Sequence, residues 1–447
     1  MVDINPRLVA AEVLEDICEN SSYSNIALKK ALKSNGAMPL RDRAFVTELV
    51  NGSLRNILYI DYVLDNFSNT PVNKMKPWIK AVLRSAVYQV VFMNVPESAA
   101  VNEAVKLVKF RGYKSLSGFC NAVLRSVLKG YTALELPKDK AEMISIKYSH
   151  PLWLVKMWIS YYGEEFTEEL CRANTQKPDV VICCNSLKTD IKSLCQKLSE
   201  SGAECVRSEY LENSAHISKV NDLSKLEPFK EGLFHVQDES SSLAVRILDP
   251  KEGENILDVC ASPGGKTVLA CELMKNRGMV TARDIFPHRL AFINETAERL
   301  GINIIKTEEF DATVLNSSDI EKYDRVLVDA PCSGFGLMRK KADIRLKKNG
   351  NDIDSLIVLQ RNILSTVWKY VKKGGVIVYS TCTISKKENE GNIKWFTENF
   401  PFETEDISEF LPENIKQDKT LNGCVQLFPN LHKTDGFFIA RLRRKNI

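Results

Sequence analysis

Two cysteines and one aspartate stand where the sequence would present them for chemistry. The apolar run Val326-Leu327-Val328 ends in Asp329, and Ala330-Pro331-Cys332-Ser333-Gly334 follows at once. A second run, Tyr379-Ser380-Thr381, ends in Cys382 and Thr383. A lone cysteine is usually a small core hydrophobe, and Cys18, Cys120, Cys171 and Cys183 are read that way. Two thiols directly after two strands are different, because a thiol near a helix N-terminus loses its proton more easily and attacks as thiolate. As metal ligands they lack company, since no histidine or third cysteine lies nearby, and no metal is expected.

A third element lies upstream, Cys260-Ala261-Ser262-Pro263-Gly264-Gly265-Lys266-Thr267, after the apolar run that starts at Ile256. Glycines at a strand-to-helix turn let backbone amides approach a ligand. Gly-Lys-Thr suggests a phosphate-binding P-loop, but that motif needs glycine where Cys260 stands. A plain glycine turn between strand and helix would also fit. Asp284 ends the next run and is placed to accept hydrogen bonds from the two hydroxyls of a ribose. Asp311, after the third run, is placed to accept from an adenine amino group, although either aspartate could equally cap a helix. Together these residues describe a nucleoside pocket.

A thiolate beside S-adenosyl-L-methionine has a definite use. Carbon 5 of a pyrimidine is a poor nucleophile until something adds to carbon 6. A cysteine adding there makes carbon 5 enamine-like, ready to take the sulfonium methyl. A carboxyl group at N3, for which Asp329 is the nearest candidate, assists the addition. A second thiol can assist release once the carbon 5 proton leaves. The residues do not say which thiol attacks.

These groups need a scaffold, and the chain supplies the pattern of one. Residues 1–140 carry helical spacing at Val9, Val13 and Ile17, at Phe45, Val46, Leu49 and Val50, and at Ile79, Val82, Leu83, Ala86, Val87 and Val90. An all-α domain is expected there, closed by a linker at Tyr131–Lys140. Residues 141–235 are expected to hold linker helices and a small α+β unit, with strands at Val180–Leu187 and Leu233–Gln237 and a helix through Ile191, Leu194 and Leu198. From 236 to 447, strand candidates Ile256–Cys260, Met279–Asp284, Asn303–Thr307, Arg325–Asp329 and Val376–Thr381 alternate with helices, which indicates an α/β sheet. Ligands of such sheets sit beyond the carboxyl ends of the strands.

Composition narrows the class. With 447 residues, 44% apolar and 26% charged, the chain is globular and multidomain. Residues 1–140 hold 19 Lys and Arg against 13 Asp and Glu, a basic arm suited to a polyanion. The uncharged stretch Ser85–Pro96 is too short to span a bilayer, and acidic residues from Glu12 to Glu19 stand where a secretory signal would be apolar. Twelve cysteines without a CxxC pair, and five histidines, argue for reduced thiols, a cytoplasmic protein and no membrane partner.

At this point the chain resembles a known family. Cys260–Thr267, Asp329–Gly334, Tyr379–Cys382 and the C-terminal Asp435-Gly436-Phe437-Phe438-Ile439-Ala440 look like the signatures of the RNA 5-methylcytosine methyltransferases. Pro96–Val105 and Gly118–Arg125 are similar to the NusB-type RNA-binding domain. The combination resembles the RsmB (Sun/Fmu) family of bacterial 16S rRNA methyltransferases. The resemblance implies a NusB-like all-α domain, a small α+β RNA-binding unit and a Rossmann-like class I methyltransferase domain, with a monomer expected. It also implies that Cys260, Ala261, Ser262, Pro263, Gly264, Gly265 and Lys266 form the cofactor loop. Asp284 then holds the ribose, Asp311 lies near adenine, and Asp329 stands beside both cofactor and base. Cys382 matches the nucleophile and Cys332 the residue that helps release product, the reverse of DNA cytosine methyltransferases. Ser262 and Ala342 depart from the common alanine and proline of the family without altering a reactive group. Arg339, Lys340, Lys341, Arg345, Lys347 and Lys348 are read as phosphate contacts for single-stranded or looped 16S rRNA. Two rivals explain less: a P-loop NTPase leaves both thiols without a task, and a non-catalytic RNA-binding relative has no reason to keep Cys382, Cys332 and Asp329.

Overall fold

The computed structural model describes residues 4–20, 22–220, 222–348, 350–415 and 423–446. The chain divides into two compact units, Met1–Lys177 with Met338–Lys348, and Pro178–Leu337 with Asn349–Ile447.

The first unit is all helix among its described residues. Pro6–Glu19, Ser24–Ser34, Leu40–Arg55, Ile57–Phe67, Pro77–Val91, Glu97–Phe110 and Ser117–Gly130 are its longer early members. Asn5 caps the first through the amides of Arg7 and Leu8, and proline opens it and the Pro77 helix, where a missing N–H costs nothing. Val9, Val13, Val46, Leu49, Val82 and Val87 meet in one core, as their spacing requires. Between Tyr131 and Lys140 a short turn gives way to extended chain, and three further helices run from Lys140 to Thr175.

Met338–Lys348 belongs to this helical unit, and this corrects the reading of its basic residues. Arg345 is 3% exposed and donates to the carbonyls of Arg55 and Asn174 at 3.2 and 2.8 Å. Lys347 donates to the Ser22 carbonyl at 2.6 Å and pairs with Asp343 at 3.0 Å. Asp343 in turn accepts from the Ser24 hydroxyl. Burial has turned two expected phosphate contacts into anchors; Lys340 and Lys341 stay exposed.

The second unit holds two sheets. Strands β1 (Val180–Cys184), β2 (Glu204–Arg207), β3 (Ser214–Ser218) and β4 (Phe234–Val236) form an antiparallel sheet in the order β2-β3-β1-β4, the expected small α+β element. Its helix Ile191–Glu200 is capped by Asp190 and buries Ile191, Leu194 and Leu198. Cys195 and Cys205 are joined as a disulfide here, whereas the sequence reading expects thiols throughout.

The larger sheet contains β5 (Asn255–Asp258), β6 (Met279–Asp284), β7 (Ile305–Glu309), β8 (Tyr323–Asp329), β9 (Val371–Thr381), β10 (Phe402–Thr404), β11 (Cys424–Leu427) and β12 (Phe437–Arg444). Its order is β10-β12-β9-β8-β5-β6-β7, with β11 also on β12; β5 to β9 run parallel, and β12 is antiparallel to β9. Alternate residues serve opposite faces. On β9, Val376 and Val378 pack under the helix Glu239–Leu248 in one core, while Ile377 and Tyr379 pack against Ile363, Leu364 and Val367 in the other. Two buried faces make this the doubly wound sheet the alternation predicts. The strands reach further than the sequence suggests at the start of β9, which begins at Val371 despite Gly374 and Gly375.

Candidate active site

The loop after β5 is the first wall of the site. Its backbone is pinned by Ala261 N–H donating to the Arg283 carbonyl at 2.8 Å and Gly264 N–H to the Ala261 carbonyl at 2.7 Å. Gly264 has φ +102°, and a Cβ there would press on Ile293, so glycine is required. The helix Gly265–Leu273 starts at the next residue, turning free amides toward the strand ends.

Asp329, at the end of β8, is held from two sides. Lys266 Nζ donates to Oδ2 at 2.6 Å and Ser380 Oγ to Oδ1 at 2.8 Å. A P-loop lysine would be free for phosphates, whereas Lys266 is committed to this carboxylate. Cys260, Ser262, Asp284, Asp311 and Asp329 line one cavity of about 510 Å³, with Phe286, Arg289, Leu359 and Ile363 among the other walls. Of the expected site residues, Ala261, Pro263, Gly265 and Lys266 instead line an adjoining cavity of about 180 Å³, which shares Cys260, Ser262 and Asp329 with the first. Asp284 Oδ1 accepts the Phe286 amide at 3.0 Å, and Asp311 Oδ1 accepts the Thr313 amide at 2.8 Å. Each spends one oxygen on its own turn while its residue still lines the cavity. Four carboxylates, Asp258, Asp329, Asp284 and Asp311, add to burial in pushing the Cys260 thiol far up, so it stays protonated and unreactive.

Cys332 and Cys382 come together after β8 and β9, with their sulfurs 3.2 Å apart. Their loops are fastened to each other. Gly336 N–H donates to the Cys382 carbonyl at 3.0 Å, and Gly436 N–H donates to the Gly336 carbonyl at 3.0 Å. A Cβ on Gly436 would come within 2.7 Å of the Gly336 Cα, which explains the glycine after Asp435. Glu388, fully buried, accepts from the Ser333 amide and hydroxyl at 2.9 and 2.7 Å, and Ser333 Oγ lies 2.7 Å from Thr383 Oγ1. The residues after the two cysteines are therefore one network. Cys332 is pushed well above the thiol range, first by its hydrogen bond with Cys382, then by burial and by Glu388 and Asp329.

Sequence reasoning missed several groups. Glu388 and Gln360 carry no motif of their own, and only contacts reveal them: Gln360 Nε2 donates to the Pro331 carbonyl at 2.9 Å and to Glu388 Oε1 at 3.1 Å. Asp258 sat in plain view at the end of β5. It accepts from Thr267 Oγ1 at 2.8 Å, and burial pushes its carboxyl from 3.8 up to about 7, with Asp329 adding to the rise and Lys266 opposing it. The folded protein holds a proton there that the unfolded chain releases above about pH 4, so this group makes stability fall as pH rises from about 4 to about 7. Asp258→Asn is expected to flatten that slope, gaining up to about 4 kcal/mol over the parent at pH 8 and little at pH 4. Urea midpoints at the two pH values check it; an offset independent of pH would refute the shift.

The chain is similar to known proteins along its whole length. The family described as 16S rRNA methyltransferase RsmB/F matches residues 245–443, the NusB family residues 4–129, and a ferredoxin-like domain of RsmF/B-like methyltransferases residues 150–224. A Bacillus subtilis protein called probable ribosomal RNA small subunit methyltransferase B is 39% identical, over 98% of both chains. A Klebsiella pneumoniae ribosomal RNA small subunit methyltransferase B is 30% identical over 99% of both. Among solved structures, that of PH0851 superposes with a TM-score of 0.83 at 29% identity, covering 99% of this chain and 100% of that one. NSun6 from Pyrococcus horikoshii, solved with SFG, shares the fold with a TM-score of 0.58 at 24% identity over 69% of this chain and 98% of its own.

Proposed function

The chain belongs to the RsmB/F family of 16S rRNA methyltransferases, and from that premise we propose that it methylates carbon 5 of a cytosine in 16S rRNA through a covalent cysteine adduct. It is an S-adenosyl-L-methionine-dependent ribosomal RNA methyltransferase, with a NusB domain, a ferredoxin-like domain and a class I methyltransferase domain in chain order. The observation that carries the finer reading is the pair of sulfurs 3.2 Å apart beside Asp329. Methyl transfer to a ring nitrogen or a hydroxyl has no need of two thiols. Activation of carbon 5 needs one to add and uses a second to leave.

S-Adenosyl-L-methionine supplies the electrophilic methyl; the rest is done by side chains. Cys260, Ala261, Ser262, Pro263, Gly264, Gly265 and Lys266 would hold it as the cofactor loop, with Asp284 to accept from the ribose and Asp311 from the adenine. Cys382 Sγ bonds to carbon 6 as its thiol proton passes to the Asp329 carboxylate, and the ring electrons move toward N3, which takes that proton from Asp329. Carbon 5 then bonds to the methyl as the methyl–sulfonium bond breaks. When water removes the carbon 5 proton, the carbon 6–sulfur bond breaks and the N3 proton returns through Asp329 to Cys382. The Cys332 thiol, already hydrogen-bonded to Cys382, is placed to support that departure. The NusB and ferredoxin-like domains take up the RNA, with exposed Lys340 and Lys341 contacting phosphate. Such a reaction proceeds in the cytoplasm on an unstacked base.

The test is transfer of labelled methyl from S-adenosyl-L-methionine to unmodified 16S rRNA, with tRNA in parallel. Label recovered as 5-methylcytosine at one 16S position is the expected result. Label on another atom, or on tRNA alone, would overturn the reaction or the substrate respectively. Asp284→Ala is expected to weaken cofactor binding about 10- to 100-fold, since two hydrogen bonds to a charged acceptor are lost. Calorimetry giving an unchanged Kd would remove the ribose contact.

A further inference from the structure

Among the described residues, one group of three metal-ligating side chains converges away from the active site. Cys183 on β1, His235 on β4 and Glu272 on the helix that follows the cofactor loop each offer one ligand atom, all within 4.8 Å of one another and all buried. Cys183 is 2% exposed, His235 3% and Glu272 2%. None of the three takes part in methyl transfer as described above.

Cys183 has the hydroxyls of Ser242 and Ser214 beside it, but the other two lack the partners that burial demands. His235 Nδ1 and both carboxylate oxygens of Glu272 make no hydrogen bond of ordinary geometry, the Ser186 backbone N–H being the polar group close enough to favour the carboxylate. Buried polar groups left this way cost a few kcal/mol each unless something satisfies them. A direct hydrogen bond does not answer: Nδ1 and Glu272 Oε1 stand 3.5 Å apart, too far for an N–H or O–H donor to a charged or neutral acceptor. That separation is instead the edge of a coordination tetrahedron, because two light-atom ligands about 2.1 Å from one ion lie about 3.4 Å apart. His235 Nε2 lies 3.1 Å from Gln237 Oε1, and with Nε2 protonated toward that oxygen Nδ1 presents its lone pair toward Glu272.

We propose that Cys183, His235 and Glu272 form a buried structural site for a divalent, borderline-soft metal ion, zinc being the best match. A thiolate and a carboxylate together balance the two positive charges, so the filled site is neutral in an apolar surrounding. Sulfur with imidazole selects zinc over magnesium or calcium, which prefer all-oxygen sites. Val245, Leu269 and Ala270 pack beside Cys183 and seal the site, as befits a structural rather than a catalytic ion. The consequence is mechanical. The ion ties the ferredoxin-like sheet to the helix that begins at Gly265. Gln237, which orients His235, also lies against that same glycine: a Cβ on Gly265 would come within 2.6 Å of Gln237 Oε1.

The experiment uses the full chain, purified without a histidine tag. About one equivalent of zinc is expected to survive dialysis. In chelator-stripped protein, cobalt(II) is expected to produce an intense near-ultraviolet thiolate-to-cobalt band that saturates at one equivalent. Glu272→Gln is expected to weaken cobalt binding about 100-fold or more, and Cys183→Ser to abolish the band. Zinc-edge absorption of the unaltered protein, which needs no variant to fold, is expected to fit one sulfur with two or more nitrogen or oxygen neighbours. Metal-free protein that gives no thiolate band with cobalt overturns the proposal. So does a band that persists in Cys183→Ser, or a zinc shell with no sulfur or with several.

Discussion

Cys382→Ala is expected to abolish methyl transfer, by at least about 10⁴-fold, while leaving the cofactor affinity within about twofold of the parent. The separation follows from where the residue sits. Cys382 follows β9, and the cavity that includes Asp284 and Asp311 has no wall made by its side chain. In the proposed mechanism this sulfur bonds carbon 6, and removing it takes away the route by which carbon 5 gains nucleophilicity. The cost therefore falls on kcat, with substrate and cofactor binding nearly unaffected. Single-turnover transfer together with calorimetry of S-adenosyl-L-methionine binding makes the check. Turnover near the parent rate would transfer the nucleophile's role to Cys332 or end the covalent scheme. Loss of cofactor binding along with activity would show that the substitution had disturbed the loop rather than the chemistry.

Cys332→Ser gives the second large effect, and it runs in an unusual direction: a product-like complex should accumulate. Before methyl transfer, addition of Cys382 to carbon 6 is freely reversible. After it, carbon 5 bears both methyl and hydrogen, and the sulfur cannot leave until that proton is removed. Cys332, protonated and 3.2 Å from the Cys382 sulfur, is the group beside that departure. A serine hydroxyl is a far weaker acid and is held at a shorter reach, so release is expected to slow about 100-fold or more. An RNA–protein band stable on denaturing gels should appear, and only when S-adenosyl-L-methionine is supplied. The double variant with Cys382→Ala should give none. No band from the single variant would remove Cys332 from product release, and a band from the double variant would mean the adduct is not through Cys382.

Much of this protein is written in local pattern. The 3.6-residue spacing of Val9, Val13 and Ile17 predicts a helix because one face must meet a core, and that face is buried. Met279–Asp284 is a strand with the bounds the sequence suggests, since an apolar run closed by an acid after a turn has few other ways to fold. The glycines of the cofactor loop and the cysteines after β8 and β9 are likewise readable, because a parallel sheet delivers the residue after each strand to one edge. Register and length are less legible. β9 begins five residues before the expected Val376, because Val371 pairs with Tyr323 of β8 and an irregularity that includes Gly374 and Gly375 separates that pair from Arg325–Val376.

What the sequence determined by itself, then, is which residues stand directly after the strands and the edge on which they gather. What only the tertiary structure decided is which groups from distant segments meet. Arg345 and Lys347 look like an RNA-facing charge run until Ser22, Arg55 and Asn174 are seen to accept from them. Glu388 has no signal at 55 residues from Ser333, yet it binds both of that residue's donors. Cys183 reads as an ordinary core thiol, and a sequence without CxxC spacing gives no reason to expect a metal. The cluster with His235 and Glu272 exists because β1 and β4 are neighbours and a helix of the adjoining sheet packs on them. The reason is the same in each case. Periodicity encodes which face of an element is buried, while the partner met on burial is set by long-range packing, to which spacing along the chain is blind.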